Sequence, residues 1–287
     1  MKIALGTAQF GTNYGIANII GQIKKPEIKE ILKFAKISGV NTIDTAISYQ
    51  SSEQYLGEIG VDDFKIITKL SEIPKNYKNL KIWITNQVQK SLNFLKVKKL
   101  SGLLLHRPIQ LLDQDKKELW NILLELKSRG VIEKIGYSIY SPDELDKLWG
   151  LFKPDIVQAP YNVLDRRLDT SGWLERMSKE NVELHIRSIF LQGLLLMNEK
   201  NRPEKFKKWT IIWRKWNNWL MENDITPIQA AVSFALSDNR ISKVIVGIDS
   251  LEQFKDIISV ANNIKTFPES FNIEDLKLLN PSEWGSI

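Results

Sequence analysis

The chain has 287 residues, 43% of them apolar, with no cysteine and only two histidines, His106 and His185. Disulfides, thiolate catalysis, iron–sulfur clusters and Cys-ligated zinc are therefore excluded, and any metal site would have to lean on carboxylates. The formal net charge of +6 is the balance of 40 basic and 34 acidic residues spread through the helical segments, which argues against a nucleic-acid partner and suits an anionic small molecule equally well.

Short Ile-, Val- and Leu-rich runs alternate with segments of helical period, the pattern of a parallel sheet with crossover helices. Strands are expected at residues 2–7, 41–46, 65–70, 100–106, 134–139, 155–161, 183–189 and 243–248. Between them lie helices at 26–38, with Pro26 in the first turn and Gly39 beyond the end, and at 51–59, 83–95, 113–130, 141–152 and 171–181. In the fifth of these crossovers Ser141, Pro142, Asp143 and Glu144 read as a cap, a first-turn proline and acidic residues at the positive end of the helix dipole. The seventh crossover is longer. It holds a Trp-rich helix over 204–223 and a second one behind the Thr226-Pro227 cap, and a last helix at 250–264 precedes a tail from Lys265 that either covers the barrel mouth or packs on its side. The expectation is one domain over 1–287, a (β/α)8 TIM barrel of ordinary length. No run of about 18 apolar residues occurs, so a soluble, cytoplasmic protein without a membrane partner is expected.

The last positions of the eight strands are Thr7, Asp44, Lys69, His106, Ser138, Gln158, Ser188 and Gly247. A polar or small residue at every strand end is hard to explain as packing, and in such barrels this rim carries the active site. Seen alone, Asp44 reads as a turn cap, Tyr49 as a loop aromatic and His106 as a core histidine, but a buried Lys69 without a partner would cost several kcal/mol.

LGTAQFG in strand one, DTAISY with Asp44 and Tyr49, Lys69 ending strand three and LLLHRP ending strand four resemble the aldo-keto reductase family. VQAPYN, which carries Gln158, and SIFLQGLLL after strand seven extend the resemblance over nearly the whole chain. It implies NAD(P)H-dependent reduction of an aldehyde or ketone of a small polar metabolite, a keto-sugar among the candidates. Tyr49 would be the general acid, Lys69 and Asp44 would tune it, and His106 would orient the carbonyl. A free tyrosine near pKa 10 is a reluctant donor at neutral pH, so the expectation is that Lys69 lowers the Tyr49 pKa while Asp44 keeps the ammonium charged.

There is no GxGxxG after a strand, so the dinucleotide would be held in the barrel manner, near the loops after strands seven and eight. The resemblance implies cofactor contacts from Gly6, Thr7, Asp44, Ser138, Gln158, Arg187, Ser188, Gly247, Asp249 and Gln253, with Ser138 and Gln158 on the nicotinamide carboxamide. Two positions depart from the family pattern. Ile139 stands where an asparagine usually follows the serine, and Arg187 where many relatives place an aromatic ring; Arg187 either stacks on the nicotinamide or pairs with a rim carboxylate. Asp249 would repel a 2′-phosphate and accept from a free ribose hydroxyl, which inclines the choice between NADPH and NADH slightly toward NADH.

Trp209, Trp213, Trp216 and Trp219 share one helical stripe, which reads as core packing, a dimer contact or a wall for a sugar-like substrate. A monomer and a homodimer both remain open. Two other functions compete: a non-catalytic dinucleotide-binding regulatory or interaction subunit, and a Schiff-base lyase using Lys69, against which Asp44 would hold the amine protonated.

Overall fold

The computed structural model describes residues 1–114, 118–268, 271 and 273–286. Eight parallel strands among them, β1 Ile3–Gly6, β2 Thr42–Asp44, β3 Lys65–Leu70, β4 Gly102–Leu105, β5 Ile135–Ser138, β6 Ile156–Pro160, β7 Glu183–Arg187 and β8 Ile241–Gly247, pair in chain order and close on themselves. The closure is the pairing of β1 with β8, in which Gly6 meets Gly247. The expected TIM barrel is the observed fold, each strand lying at its expected place and most slightly shorter.

Side chains alternate across a strand, so one parity of each strand must enter the barrel and the other must face the helices. The packing follows this rule. Ile3, Leu5, Ile43, Ile66, Leu70, Leu103, Leu105, Ile135, Tyr137, Val157, Ala159, Leu184, Ile186, Val244 and Val246 belong to the large core shared with the helices. Ile67, Leu104 and Ile156 form a separate cluster inside the barrel. Gly102 makes that inner cluster possible, because a Cβ there would lie 2.7 Å from Ile67 Cδ1 and 3.1 Å from Ile156 Cδ1. Two residues above the inner cluster on the same parity stand Lys69, His106 and Gln158. The polar rim is thus the next layer of the barrel interior.

The helices occupy the crossovers in turn. α1 Ala8–Gly11 is a single turn where the sequence predicts only the end of strand one. α2 Lys25–Ile37 buries Ile28, Ile31, Leu32 and Ala35 at helical spacing and stops at Gly39, whose φ is +76°. α3 Ser52–Ile59 is held to the barrel by the buried Glu53, which accepts from Thr68 Oγ1 at 2.6 Å and Ser91 Oγ at 3.0 Å. α4 Leu80–Leu95 begins earlier than periodicity suggests, since Asn79 Oδ1 caps it by accepting from Ile82 N at 2.9 Å. α5 Leu119–Ser128 realises the second part of the helix expected over 113–130, of which residues 115–117 lie outside the described residues.

α6 Asp143–Leu148 corrects one detail. The Ser141 side chain does not cap it; Glu144 does, accepting from the Tyr140 and Ser141 amides at 2.6 and 3.2 Å. After α7 Arg167–Thr170 and α8 Trp173–Lys179 comes the long seventh crossover, with α9 Thr210–Glu222 and α10 Pro227–Ser237. α10 starts with the reciprocal Thr226–Gln229 capping box. α11 Leu251–Ala261 follows β8, and the tail carries α12 Leu276–Leu279.

The tail packs on the side of the barrel against the tryptophan helix. Trp209 Nε1 donates to Asp275 Oδ2 at 2.9 Å, Trp216 meets Phe271 edge-on at 5.9 Å, and Phe206 meets Trp284 at 4.9 Å. Trp213 and Trp216 are buried and donate to the Phe206 and Leu195 carbonyls. Core packing is therefore the role of the stripe, with only Trp219 half-buried. No helix among the described residues is long and apolar enough to cross a membrane.

Candidate active site

A cleft opens at the C-terminal rim of the barrel, with a volume of about 290 Å³. Most of the expected site residues line it: Gly6, Thr7, Asp44, Tyr49, His106, Ser138, Gln158, Arg187, Ser188, Gly247, Asp249 and Gln253. Lys69 is the exception and lies beneath the floor. It is 1% exposed, and its Nζ donates to Asp44 Oδ2 at 2.6 Å and to Thr45 O at 2.9 Å. The other Asp44 oxygen accepts from Gln158 Nε2 at 2.7 Å. Asp44 therefore joins the lysine under the floor to the glutamine in the opposite wall.

Tyr49 stands over this pair, its ring centroid 5.3 Å from Lys69 Nζ and 6.2 Å from the His106 ring, which it meets edge-on. The loop that carries it is fixed from below. Gly11 lets the Tyr49 carbonyl come so close that a Cβ there would lie 1.7 Å from the oxygen. Ser52 Oγ donates to Thr7, and Thr7 Oγ1 donates to Asp44 O at 3.1 Å, so the Thr7 hydroxyl is spent on holding β1 to β2.

The electrostatics correct the sequence reading. The Tyr49 hydroxyl is pushed above its ordinary pKa, first by removal from water and then by the Asp44 carboxylate, while Arg187 opposes the rise. Lys69 does not produce the expected lowering, because its charge is already matched at 2.6 Å by Asp44. Lys69 is itself pulled below the usual lysine value, since burial outweighs the Asp44 attraction. The amine nonetheless stays clear of the cleft wall, which is what disfavours a Schiff base. His106 is depressed to about 3 by burial and by the charges of Lys69, Arg187 and Arg107. Its imidazole is neutral at physiological pH, with Nδ1 3.3 Å from Ser48 Oγ.

The two departures from the expected pattern are linked. The Ile139 side chain points outward into the helix-facing core, and its carbonyl accepts from Arg187 Nη2 at 2.9 Å. Arg187 Nη1 donates to Ser188 Oγ at 3.2 Å, and the guanidinium carbon lies 4.8 Å from the Tyr140 ring centroid. The carboxylate pairing expected as one role of Arg187 is not found: no ion pair joins it to a carboxylate among the described residues. At the far end of the cleft, Asp249 is half-buried, accepts from Gln9 Nε2 at 3.3 Å, and has its carboxyl pKa raised by burial. Gln253 Oε1 accepts from the Asp249 amide at 2.7 Å and so shapes this loop.

Gln9, Tyr14, Asn18, Tyr140 and Gln192 also line the cleft and are absent from the set expected from the sequence. Gln9 lies within the LGTAQFG phrase and Tyr140 two residues past a strand end, so both carried a signal. Gln192 lies within SIFLQGLLL and carried the same kind of signal, while Tyr14 carried none. They meet only because the loops after β1 and β7 touch, through Gln192 Nε2 to Tyr14 Oη at 3.2 Å and Ala17 N to Gln192 O at 3.4 Å. Consecutive left-handed residues Leu191, Gln192 and Gly193 bend the second loop into place.

The model of the Aldo/keto reductase family matches residues 2–275. Among curated proteins, the chain is 25% identical over 154 residues to L-glyceraldehyde 3-phosphate reductase of Escherichia coli K12, covering 45% of this chain and 44% of that one. It is 28% identical over 184 residues to the aldo-keto reductase YhdN of Bacillus subtilis 168, covering 59% and 53%. The chain thus spans about half the length of the curated relatives it matches. The solved structure of the aldo-keto reductase AKR11C1 from Bacillus halodurans, in its holo form, shares the fold with a TM-score of 0.73 at 20% identity, over 92% of this chain and 88% of that one.

Proposed function

The chain belongs to the aldo/keto reductase family, and from that premise we propose that it is an NAD(P)H-dependent oxidoreductase reducing an aldehyde or ketone of a small polar metabolite, with a keto-sugar as one candidate. The observation that carries this reading is the convergence of Tyr49, neutral His106 and the Asp44–Lys69 pair on one side of a cleft whose opposite wall presents a buried, unpartnered oxygen. That oxygen is Gln158 Oε1. The Gln158 amide nitrogen is committed to Asp44, so its oxygen is fixed as an acceptor and fits the amino group of a nicotinamide carboxamide. Ser138 beside it, and the absence of side chains at Gly6 and Gly247, suit the same group.

When bound, the reduced nicotinamide supplies the hydride. The protein's part is to receive the carbonyl oxygen. In the tautomer that accepts from Ser48 Oγ at Nδ1, the neutral His106 carries its proton on Nε2 and offers a donor that orients this oxygen without competing as an acid. Tyr49 stays protonated over the whole working range, and an alkoxide is a stronger base than even a perturbed phenolate, so the proton moves from Tyr49 Oη to the new alcohol. The Asp44–Lys69 pair forms the floor under the Tyr49 ring, and Arg187 is the charge that favours the phenolate left behind. Asp249, with Gln9 and Gln253 around it, favours a free ribose hydroxyl and hence NADH over NADPH.

The test is oxidation of NADH and of NADPH against a panel of aldehydes and ketones, followed by nicotinamide absorbance. Turnover of one or more carbonyls is expected. Tight cofactor binding without turnover on any of them would instead support a regulatory subunit.

A further inference from the structure

We propose that the substrate carries an anionic group, a carboxylate or a phosphate, held by Arg187. This rests on the carbonyl-reductase reading above and extends it to a substrate class.

The cleft holds two kinds of charge. Lys69 is matched by Asp44, and Asp249 at the far end is bonded to Gln9. Arg187 has no such match, although it lines the same cleft as Tyr49 and His106 and its charge is felt by both. A second guanidinium makes the imbalance larger: Arg107, directly after His106, lies 4.7 Å from the centroid of the same Tyr140 ring that Arg187 approaches at 4.8 Å. Neither arginine has an ion-pair partner among the described residues. Two guanidinium groups on one ring raise the positive potential beside the cleft, and an anion bound to Arg187 offsets it.

The geometry of Arg187 is that of a prepared donor. One N–H each from Nη1 and Nη2 goes to Ser188 Oγ and Ile139 O, and Tyr140 supports the plane. The second N–H on each of these nitrogens and the Nε–H remain, a planar set suited to a carboxylate or phosphate. The outward turn of Ile139 belongs to the same arrangement, because it presents a carbonyl that orients the guanidinium.

The test compares aldehydes of matched shape and different charge: 4-carboxybenzaldehyde against 4-formylbenzamide, and 4-formylphenyl phosphate against 4-methoxybenzaldehyde. The readout is the ratio of kcat/KM within each pair, which cancels any effect of a substitution on folding or on cofactor binding. For the unmodified protein, at least one anionic member should exceed its neutral partner by about ten- to a hundredfold, the range of a charge-assisted hydrogen bond. The pair with the larger ratio identifies carboxylate or phosphate as the natural group. Arg187→Met should bring that ratio to about one or below, and Arg187→Lys should keep part of it. Neutral aldehydes turned over as well as both anionic ones, or a ratio unchanged in Arg187→Met, would overturn the inference while leaving the reductase reading intact; the second result would point to Arg187 acting on the nicotinamide instead. Turnover of none of the four aldehydes with either cofactor would overturn both.

Discussion

Replacing Lys69 by methionine removes the cation bonded to Asp44. The side-chain volume is nearly conserved, so the effect is electrostatic. Asp44 is 4% exposed, and after the change its Oδ2 loses the bond at 2.6 Å while only Gln158 Nε2 on Oδ1 remains. Breaking a buried pair by deleting one partner costs about 3–5 kcal/mol. For a chain of this size that corresponds to a fall in Tm of roughly 5–8 °C. The cost belongs to the stranded carboxylate, so Asp44→Asn in the Lys69→Met background should return about half of it. The neutral amide at that position can still accept from Gln158, whereas Thr45 O, which also loses its donor, accounts for about 1 kcal/mol that is not returned. Urea titrations of the wild type, both single variants and the double variant, followed by tryptophan fluorescence, give the coupling directly. A Lys69→Met protein within about 1 kcal/mol of wild type, or a double variant as unstable as the sum of the singles, would refute the account of the floor.

Three further outcomes follow from the site. The His106 pKa near 3 lies below the value of 6.5 expected for the unfolded chain; a depressed folded-state value gives stability that is full above 6.5 and is lost as pH falls toward 3. The His106 resonance should therefore not titrate between about pH 8 and 5, and an NMR inflection near 6.5 would contradict its burial and its positive neighbours. Gln158→Leu removes the unpartnered acceptor and should raise the Kd for the nicotinamide cofactor roughly tenfold, as read by fluorescence quenching; an unchanged Kd would remove Gln158 from the cofactor site. Wild-type protein should use NADH with the higher kcat/KM, and Asp249→Asn should shift the NADPH-to-NADH ratio upward by about tenfold. A strong wild-type preference for NADPH would sink the role given to Asp249.

The barrel was legible because each buried strand ends on a polar or small residue, and the two-residue period then carries that residue into the interior. Asp44, Lys69, His106, Ser138 and Gln158 were all readable this way. What could not be read depends on contacts between distant loops. Tyr14 and Gln192 become neighbours only where the β1 and β7 loops cross, and Arg187 acquires its orientation from the carbonyl of Ile139, a residue whose side chain gives no hint of it. The direction of the Tyr49 shift differs from the expectation because the sequence shows a nearby lysine and not the 2.6 Å pairing that absorbs its charge. Helix ends set by a remote or backward-reaching cap, Asn79 for α4 and Glu144 for α6, are likewise displaced from the periodic pattern. The tail was ambiguous because its docking surface, the tryptophan stripe, is itself read as apolar without a known partner.

The central claim is that Tyr49 hands its proton to the reduced carbonyl. The most direct test measures single-turnover reduction of one good aldehyde by wild-type and Tyr49→Phe protein, with cofactor affinity determined in parallel. Loss of a positioned general acid should slow the chemical step by about 10²- to 10⁴-fold while leaving the cofactor Kd unchanged. A Tyr49→Phe protein that reduces the aldehyde at the wild-type rate would contradict the account.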